Sequence, residues 1–255
     1  MKDIFESSPD VLIAEAKGSF NKLFRTSDYQ KIIADDDQLK KLIDLLNVKS
    51  HCAYLDLATG TGYVGFALAE RYPECLVVGL DIANEVINEN LTQVKERDLS
   101  NIEFRIYDGI TFPDFETNFD GVICRYALHH FPKVHETLDD ISRVLKENGR
   151  VTISDAVRNE GDNDNFINKF QGLKKDGHVK MYTENELIAL FREHDFTEIE
   201  SFYSKITFSR ELDARYESLL KSTSPAIKEK YCLLVADNKV KLTFDILNAA
   251  FVKKP

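Results

Sequence analysis

Apolar positions recur at helical spacing in the first fifty residues, as at Leu39, Leu42, Ile43 and Leu46, and predict helices ahead of any strand. From residue 53 the pattern changes to short apolar runs alternating with amphipathic stretches. The runs 53–57, 75–80, 102–106, 119–124 and 150–154 read as buried strands. Helices are expected over 63–72, with Val64, Ala67 and Leu68 on one face, and over 84–97, with Ile87, Leu91 and Val94 on one face. A further stripe of Leu138, Ile141 and Leu145 predicts a helix ending at Asn148-Gly149. After residue 155 a polar stretch, 159–165, leads into a short helix carrying Phe166 and Phe170. Thr183 and Glu186 form a capping box opening a helix through Phe191. Two strand-like runs, 198–208 and 241–252, flank a segment, 211–235, whose pattern is helical.

Alternating strands and helices imply an α/β fold: a parallel sheet with right-handed crossovers and helices on both faces, binding ligands beyond the C-terminal strand ends. The tail strands would complete a Rossmann-like, seven-stranded mixed sheet, mostly parallel with one antiparallel edge strand, under a small helical cap. The partition expected is an N-terminal helical cap (1–50), a core (51–155), a cap insertion (156–182) and a C-terminal part completing the sheet (183–255), in a single domain.

Charge narrows the partners. With 33 basic against 43 acidic residues the net charge is −10, which disfavours a polyphosphate backbone, and no basic cluster offsets it. No nucleic-acid partner is expected. The N-terminus is acidic and no apolar run is long enough to span a bilayer, so the expectation is a cytoplasmic protein with no membrane partner. Cys52, Cys75, Cys124 and Cys232 form no Cys-x-x-Cys pair and read as reduced residues, partly buried in the interior.

The densest chemistry lies at residues 55–65. Gly60 and Gly62 permit a sharp strand-to-helix turn and close approach of backbone N–H groups to a ligand. Gly60-x-Gly62-x-x-Gly65, with Asp81 21 residues after Gly60, also fits a nicotinamide-dinucleotide site. Asp56 separates the two readings. A carboxylate inside a strand needs a cationic partner; a pyrophosphate would be repelled by it, and the ammonium of a methionine moiety attracted.

The pattern Asp56-x-Ala58-Thr59-Gly60-x-Gly62 resembles the first motif of class I S-adenosylmethionine-dependent methyltransferases, with Ala58 in place of the usual first glycine, as in several members of that superfamily. Leu80-Asp81-Ile82 resembles the second motif, Tyr107-Asp108-Gly109 the third, 119–131 the fourth and 143–150 the fifth. The likeness is greatest to small-molecule methyltransferases related to the ubiquinone and menaquinone C-methyltransferases, and it covers about four-fifths of the chain. It implies S-adenosyl-L-methionine as cofactor and a small-molecule methyl acceptor. Asp81 would meet the ribose hydroxyls and Asp108 the adenine amino group, with Ile82, Gly109, Arg125 and Tyr126 completing the cofactor site.

His129 and His130 follow the fourth strand, where a neutral imidazole could take a proton from an acceptor; neighbouring residues point differently, so one at most is expected to face it. A metal site from His129, His130 and His135 lacks supporting carboxylate or cysteine spacing, and none is expected. Substrate contacts are assigned to the caps: Phe20, Phe24 and Tyr29 from the N-terminal helices, and Phe166, Phe170, His178 and Tyr182 from the later insertion. Two alternatives stand beside a methyltransferase. A nicotinamide-dependent oxidoreductase leaves Asp56 and the 119–131 motif unexplained, and a non-catalytic S-adenosylmethionine-binding module keeps every cofactor residue.

Overall fold

A computed structural model describes residues 7–254; the acidic residues 1–6 and Pro255 lie outside it. Three helices come first, α1 (Pro9–Leu23), α2 (Ser27–Ile33) and α3 (Asp36–Leu46). The alternating core follows: β1 (Ala53–Leu57), α4 (Tyr63–Arg71), β2 (Leu76–Asp81), α5 (Asn84–Glu96), β3 (Ile102–Ile106), β4 (Phe119–Arg125), α6 (Val134–Val144) and β5 (Leu145–Ala156). Strands β1 to β5 run parallel in the order β3-β2-β1-β4-β5. Central strand β1 is buried on both faces, which is why it reads as an unbroken apolar run around Asp56.

The remaining elements are α7 (Phe166–Gly172), α8 (Glu184–Glu193), β6 (Phe196–Glu211), α9 (Ala214–Ser222), α10 (Pro225–Lys230), β7 (Leu234–Ala236) and β8 (Lys239–Lys253). The antiparallel member is β8, set between β5 and the outer strand β6. The capping box of α8 is present, with Thr183 and Glu186 exchanging both hydrogen bonds.

Two expectations are corrected. The helix through Leu138 and Ile141 ends at Val144, because Leu145 is extended, buried in the core and paired with Phe119 as the start of β5. The 211–235 segment is not one helix. Asp213 and Ser224 cap two short helices, Pro225 cannot continue the first, and Asp237 and Asn238, both at positive φ, turn the chain from β7 into β8.

The long ribbon of β6 and β8 positions the site. Strand β5 ends at Ala156 opposite Ile246, but β6 and β8 stay paired out to Glu211 and Lys239. Residues 205–211 and 239–245 therefore project past the C-terminal edge of the parallel strands. A hydrophobic cluster including Phe166, Phe170, Tyr216, Tyr231, Leu242 and Phe244 fills the space beneath this overhang.

Gln38 ties the N-terminal helices to the sheet. It is 3% exposed; its Oε1 accepts from Arg125 Nε and Nη2, at 3.0 and 2.8 Å, and from the Tyr126 hydroxyl at 2.9 Å. Its Nε2 donates to Ser204 Oγ at 2.8 Å on β6. Removing this amide strands a guanidinium and a hydroxyl, so Gln38→Ala should lower unfolding free energy by about 2 kcal/mol or more. Urea denaturation measures it; a loss below about 0.5 kcal/mol would show that water replaces the amide at no cost.

Candidate functional site

Beyond the C-terminal end of β1 the chain passes through Ala58, Gly60 and Gly62 at φ 54°, 51° and 74°. Three left-handed residues turn the strand sharply into α4. At Gly62 a Cβ would lie 2.6 Å from the Phe66 ring, so only glycine fits. Ala58 carries a methyl in the same region, where a non-glycine residue costs about 1 kcal/mol.

Two buried carboxylates hold the turn. Asp56 Oδ2 accepts from Thr59 Oγ1 at 2.5 Å and Gly65 N at 2.9 Å, and no hydrogen bond among the described residues uses its Oδ1. Burial pushes its pKa up to about 7, against the lowering effect of those two donors. Asp81 Oδ2 accepts from Gly60 N and its Oδ1 from Ala83 N, both at 2.9 Å; burial raises its pKa despite these amides.

These groups border a cavity at the C-terminal edge of the sheet. Of the expected cofactor residues, Asp56, Ala58, Thr59, Gly60, Asp81, Ile82, Gly109, Arg125 and Tyr126 reach its wall. Gly62 shapes the turn behind it. Asp108 is exposed and off the wall, its Oδ1 occupied by the amides of Ile110 and Thr111. Arg125 stacks over Tyr126 and Tyr63 and donates to Gln38 and to the Ile33 carbonyl. All these partners are neutral, and its charge faces the cavity.

A second cavity, of about 350 Å³, adjoins the first and shares Phe20, Tyr29, Ile33, Tyr126 and His130 with it. Its far wall is the overhanging ribbon, through Ile206, Phe208, Phe244 and Ile246. Among the cap residues expected to meet substrate, Phe20, Tyr29 and His178 line this space. Phe24 instead packs with Ala83 and Val86, Phe166 and Phe170 are buried in the cluster beneath the ribbon, and Tyr182 packs against the main core. These four are off the wall because their rings face inward.

Both His129 and His130 line the second cavity, contrary to the expectation that one at most would face it. A single 3₁₀ turn, Leu128–His130, sets their rings 4.2 Å apart between centroids, inclined at 42°. Their surroundings separate them. Asp155, at the end of β5, accepts from the His129 amide at 2.9 Å and lies 2.6 Å from its Nδ1. Burial works against a charged His129, but Asp155 outweighs it and the pKa rises above the ordinary 6.5. Burial and the neighbouring His129 push His130 down to about 4, and the same two causes hold His178 well below its usual range. His178 Nε2 lies 2.9 Å from Asn168 Oδ1, an acceptor that also takes the Met181 amide, so Nε2 bears the proton. His135 pairs with His194 at 2.9 Å and takes no part in this cluster.

Asp155 escaped the sequence reading because it follows the last residue of the expected strand; a polar residue closing an apolar strand at the sheet's functional edge was the available signal. Nothing in the local sequence marks Gln38 or the ribbon residue Arg210, whose roles come from long-range pairing.

The family described as "Methyltransferase domain" matches residues 48–218. An uncharacterized methyltransferase of Bacillus subtilis, YcgJ, is 28% identical over 205 residues, spanning 79% of this chain and 77% of that one. Its crystal structure superposes with TM-score 0.73 and 20% identity, covering 87% of this chain and 100% of that chain. A demethylmenaquinone methyltransferase of Thermotoga maritima is 29% identical over 118 residues, covering 46% of this chain and only 49% of its own length. The N-methyltransferase NodS from Bradyrhizobium japonicum, solved with S-adenosylhomocysteine, shares the fold at TM-score 0.61 and 15% identity, over 94% of this chain and 100% of that one. No helix among the described residues is long and apolar enough to cross a membrane.

The charges around His129 are Asp155 on β5, His130 beside it, and Lys174, Asp176 and His178 from the following loop. In an NMR titration His129 should be the histidine of this cluster that titrates above 6.5, while His130 and His178 stay neutral through neutral pH. Asp155→Asn should lower the His129 midpoint, since the charge holding the imidazolium is gone. An unmoved midpoint would assign the proton elsewhere.

Proposed function

Because the chain belongs to the methyltransferase domain family, with S-adenosyl-L-methionine as methyl donor, we propose that its acceptor is a small, partly apolar molecule held in the second cavity. One observation carries the reading. A cavity built on the glycine turn and a cavity built by the caps meet at one partition of Phe20, Tyr29, Ile33, Tyr126 and His130. A donor on one side and an acceptor on the other would face each other there. Family membership removes the nicotinamide alternative.

The wall residues fit the donor. Asp56, whose Oδ1 is unused among the described residues, suits the amino acid's ammonium, and Arg125, with no carboxylate within 4.0 Å among them, its carboxylate. Asp81 retains lone pairs for the ribose hydroxyls beyond those given to Gly60 and Ala83, while Ile82 and Gly109 offer an apolar slot for the base. When bound, the donor supplies an electrophilic methyl group for in-line displacement. Aromatic faces at the partition favour a cationic centre beside them, and the caps keep water from the acceptor. His129 holds the position of a general base, its Nδ1 fixed by Asp155 and its ring on the acceptor cavity. Asp155 is a positioning residue. The net charge of −10 argues against a nucleic-acid acceptor.

Asp56 links donor binding to pH. Facing it are Asp81 and Arg125. In the free protein its raised pKa costs stability as pH climbs from the carboxylate range towards 7. A ligand ammonium reverses this, so binding below about 7 must expel the proton. S-adenosylhomocysteine affinity should therefore fall on acidification below 7, by at most about tenfold per pH unit, and Asp56→Asn should flatten the dependence. Calorimetry in buffers of different ionisation enthalpy would detect the released proton; pH-independent affinity in the parent protein would remove Asp56 from the ammonium site.

The acceptor reading is tested by screening small molecules for methyl transfer, with S-adenosylhomocysteine release as the signal. With an acceptor in hand, His129→Gln should lower kcat by about 10²-fold or more, and Asp155→Asn should move the acidic limb of the rate profile to lower pH. Transfer at full rate in both variants would leave alignment alone as the source of catalysis.

A further inference from the structure

Among the described residues, the charged groups on the inner wall of the second cavity are paired with opposite charges within the protein, Arg210 excepted. His129 has Asp155, Lys174 has Asp176 at 2.6 Å, and His178 has Asn168. Arg210 has no carboxylate within 4.0 Å among the described residues, although its side chain is on the cavity wall. Strand alternation puts it there. Ile206, Phe208 and Arg210 share the inner face of β6, opposite Phe244, Leu242 and Val240 of β8, so a guanidinium ends an otherwise apolar stripe.

Its contacts satisfy it incompletely. One Nη donates to the Ser209 carbonyl at 3.2 Å, the guanidinium lies over the Phe208 ring at 5.2 Å, and Nε is buried with no hydrogen-bond partner among the described residues. Burial bears against its charge, and the neighbouring Tyr216 hydroxyl and Asp176 offset this in part. Asp155 and Asp176, the buried acids on the wall, are each matched by a base of their own. A half-buried guanidinium without a carboxylate partner is stabilised by an anion that arrives from outside, and it presents a planar fork suited to a carboxylate.

We infer that Arg210 reads an acidic group on the acceptor, so that the acceptor is an organic carboxylic acid whose apolar body lies against Phe208, Phe244 and Tyr126. The inference rests on the second cavity being the acceptor site. It also gives the overhang of β6 past the parallel strands a function, since only a strand that long delivers residue 210 to the cavity.

The probes are para-hydroxycinnamate and octanoate, each against its neutral amide, titrated calorimetrically into full-length protein saturated with S-adenosylhomocysteine. A pH of about 8 keeps histidine cations from substituting for the arginine. The acid should bind about tenfold or more tightly than its amide in at least one pair. Arg210→Gln should abolish that preference and Arg210→Lys retain part of it, with S-adenosylhomocysteine affinity and melting temperature showing both variants folded. No preference for acid in either pair, or a preference surviving in R210Q, overturns the assignment. Acid-selective binding without methyl transfer to any acceptor would keep the anion site and sink the acceptor reading. Transfer to neutral acceptors alone would do the reverse.

Discussion

Everything at the functional edge depends on two carboxylates buried where the parallel sheet ends. Asp56 sits inside β1 and Asp81 closes β2, and each spends an oxygen on backbone amides of the same turn, Gly65 N for one and Gly60 N for the other. A loop of left-handed residues has little reason to keep one shape in water. Anchored from two adjacent strands, it has one. The arrangement is costly for an empty protein, since burial raises both pKa values against the pull of the amides. A cation near Asp56 and hydroxyl donors near Asp81 relieve that cost, so stability withheld from the free fold reappears as affinity for a ligand with those groups.

The same edge has to be roofed without being sealed. Gln38 solves part of this by joining α3 to Arg125, Tyr126 and the β6 ribbon through a single side-chain amide. Tyr126 is held at φ 58°, a conformation that costs a non-glycine residue energy, and its hydroxyl is fixed by Gln38 while its ring divides the two cavities. Strain at that position is a consequence of asking one residue to be both the end of β4 and the partition between two chambers. The ribbon supplies the other part of the roof. It extends because β6 and β8 pair with each other beyond the point where β5 can follow, and its inner face is apolar enough to pack on α7, α9 and α10.

How much of this was legible follows the range of the interactions. Strands β1 to β5 are short, apolar and flanked by periodic helices, so pattern alone places them, and the acids at 56 and 81 stand out because charge inside such runs is expensive. The misread helix at 211–235 has the opposite cause: its two short helices carry a helical pattern, and the Asp-Asn turn that makes Leu234–Ala236 a strand is a weak local signal outvoted by its surroundings. The cap aromatics show a different limit. Composition placed Phe166 and Phe170 near the substrate, but which face of α7 lines a cavity depends on the ribbon packed against it, and both rings turn into that interface. Arg210 and Asp155 come from strands far apart in sequence and meet only because the sheet brings their ends to one wall.

That wall also settles how two adjacent histidines can differ. Three imidazoles, of His129, His130 and His178, lie with ring centroids 4.2 to 6.4 Å apart on the wall of one cavity. At such distances in a low dielectric a second proton is repelled by the first, so the cluster holds one positive charge at most near neutral pH. Asp155 decides where it resides, because His129 has a carboxylate within 2.6 Å and the other two rings have none within 4.0 Å among the described residues. His130 and His178 then remain neutral and surround the charged member with polar but uncharged rings. An imidazole that accepts a proton under these conditions hands no charge to its neighbours, and the protonated state is confined to the ring that Asp155 orients towards the cavity. The sequence His129-His130 offers two equivalent imidazoles; the strand end at residue 155 gives one of them a carboxylate partner and leaves the other neutral beside it.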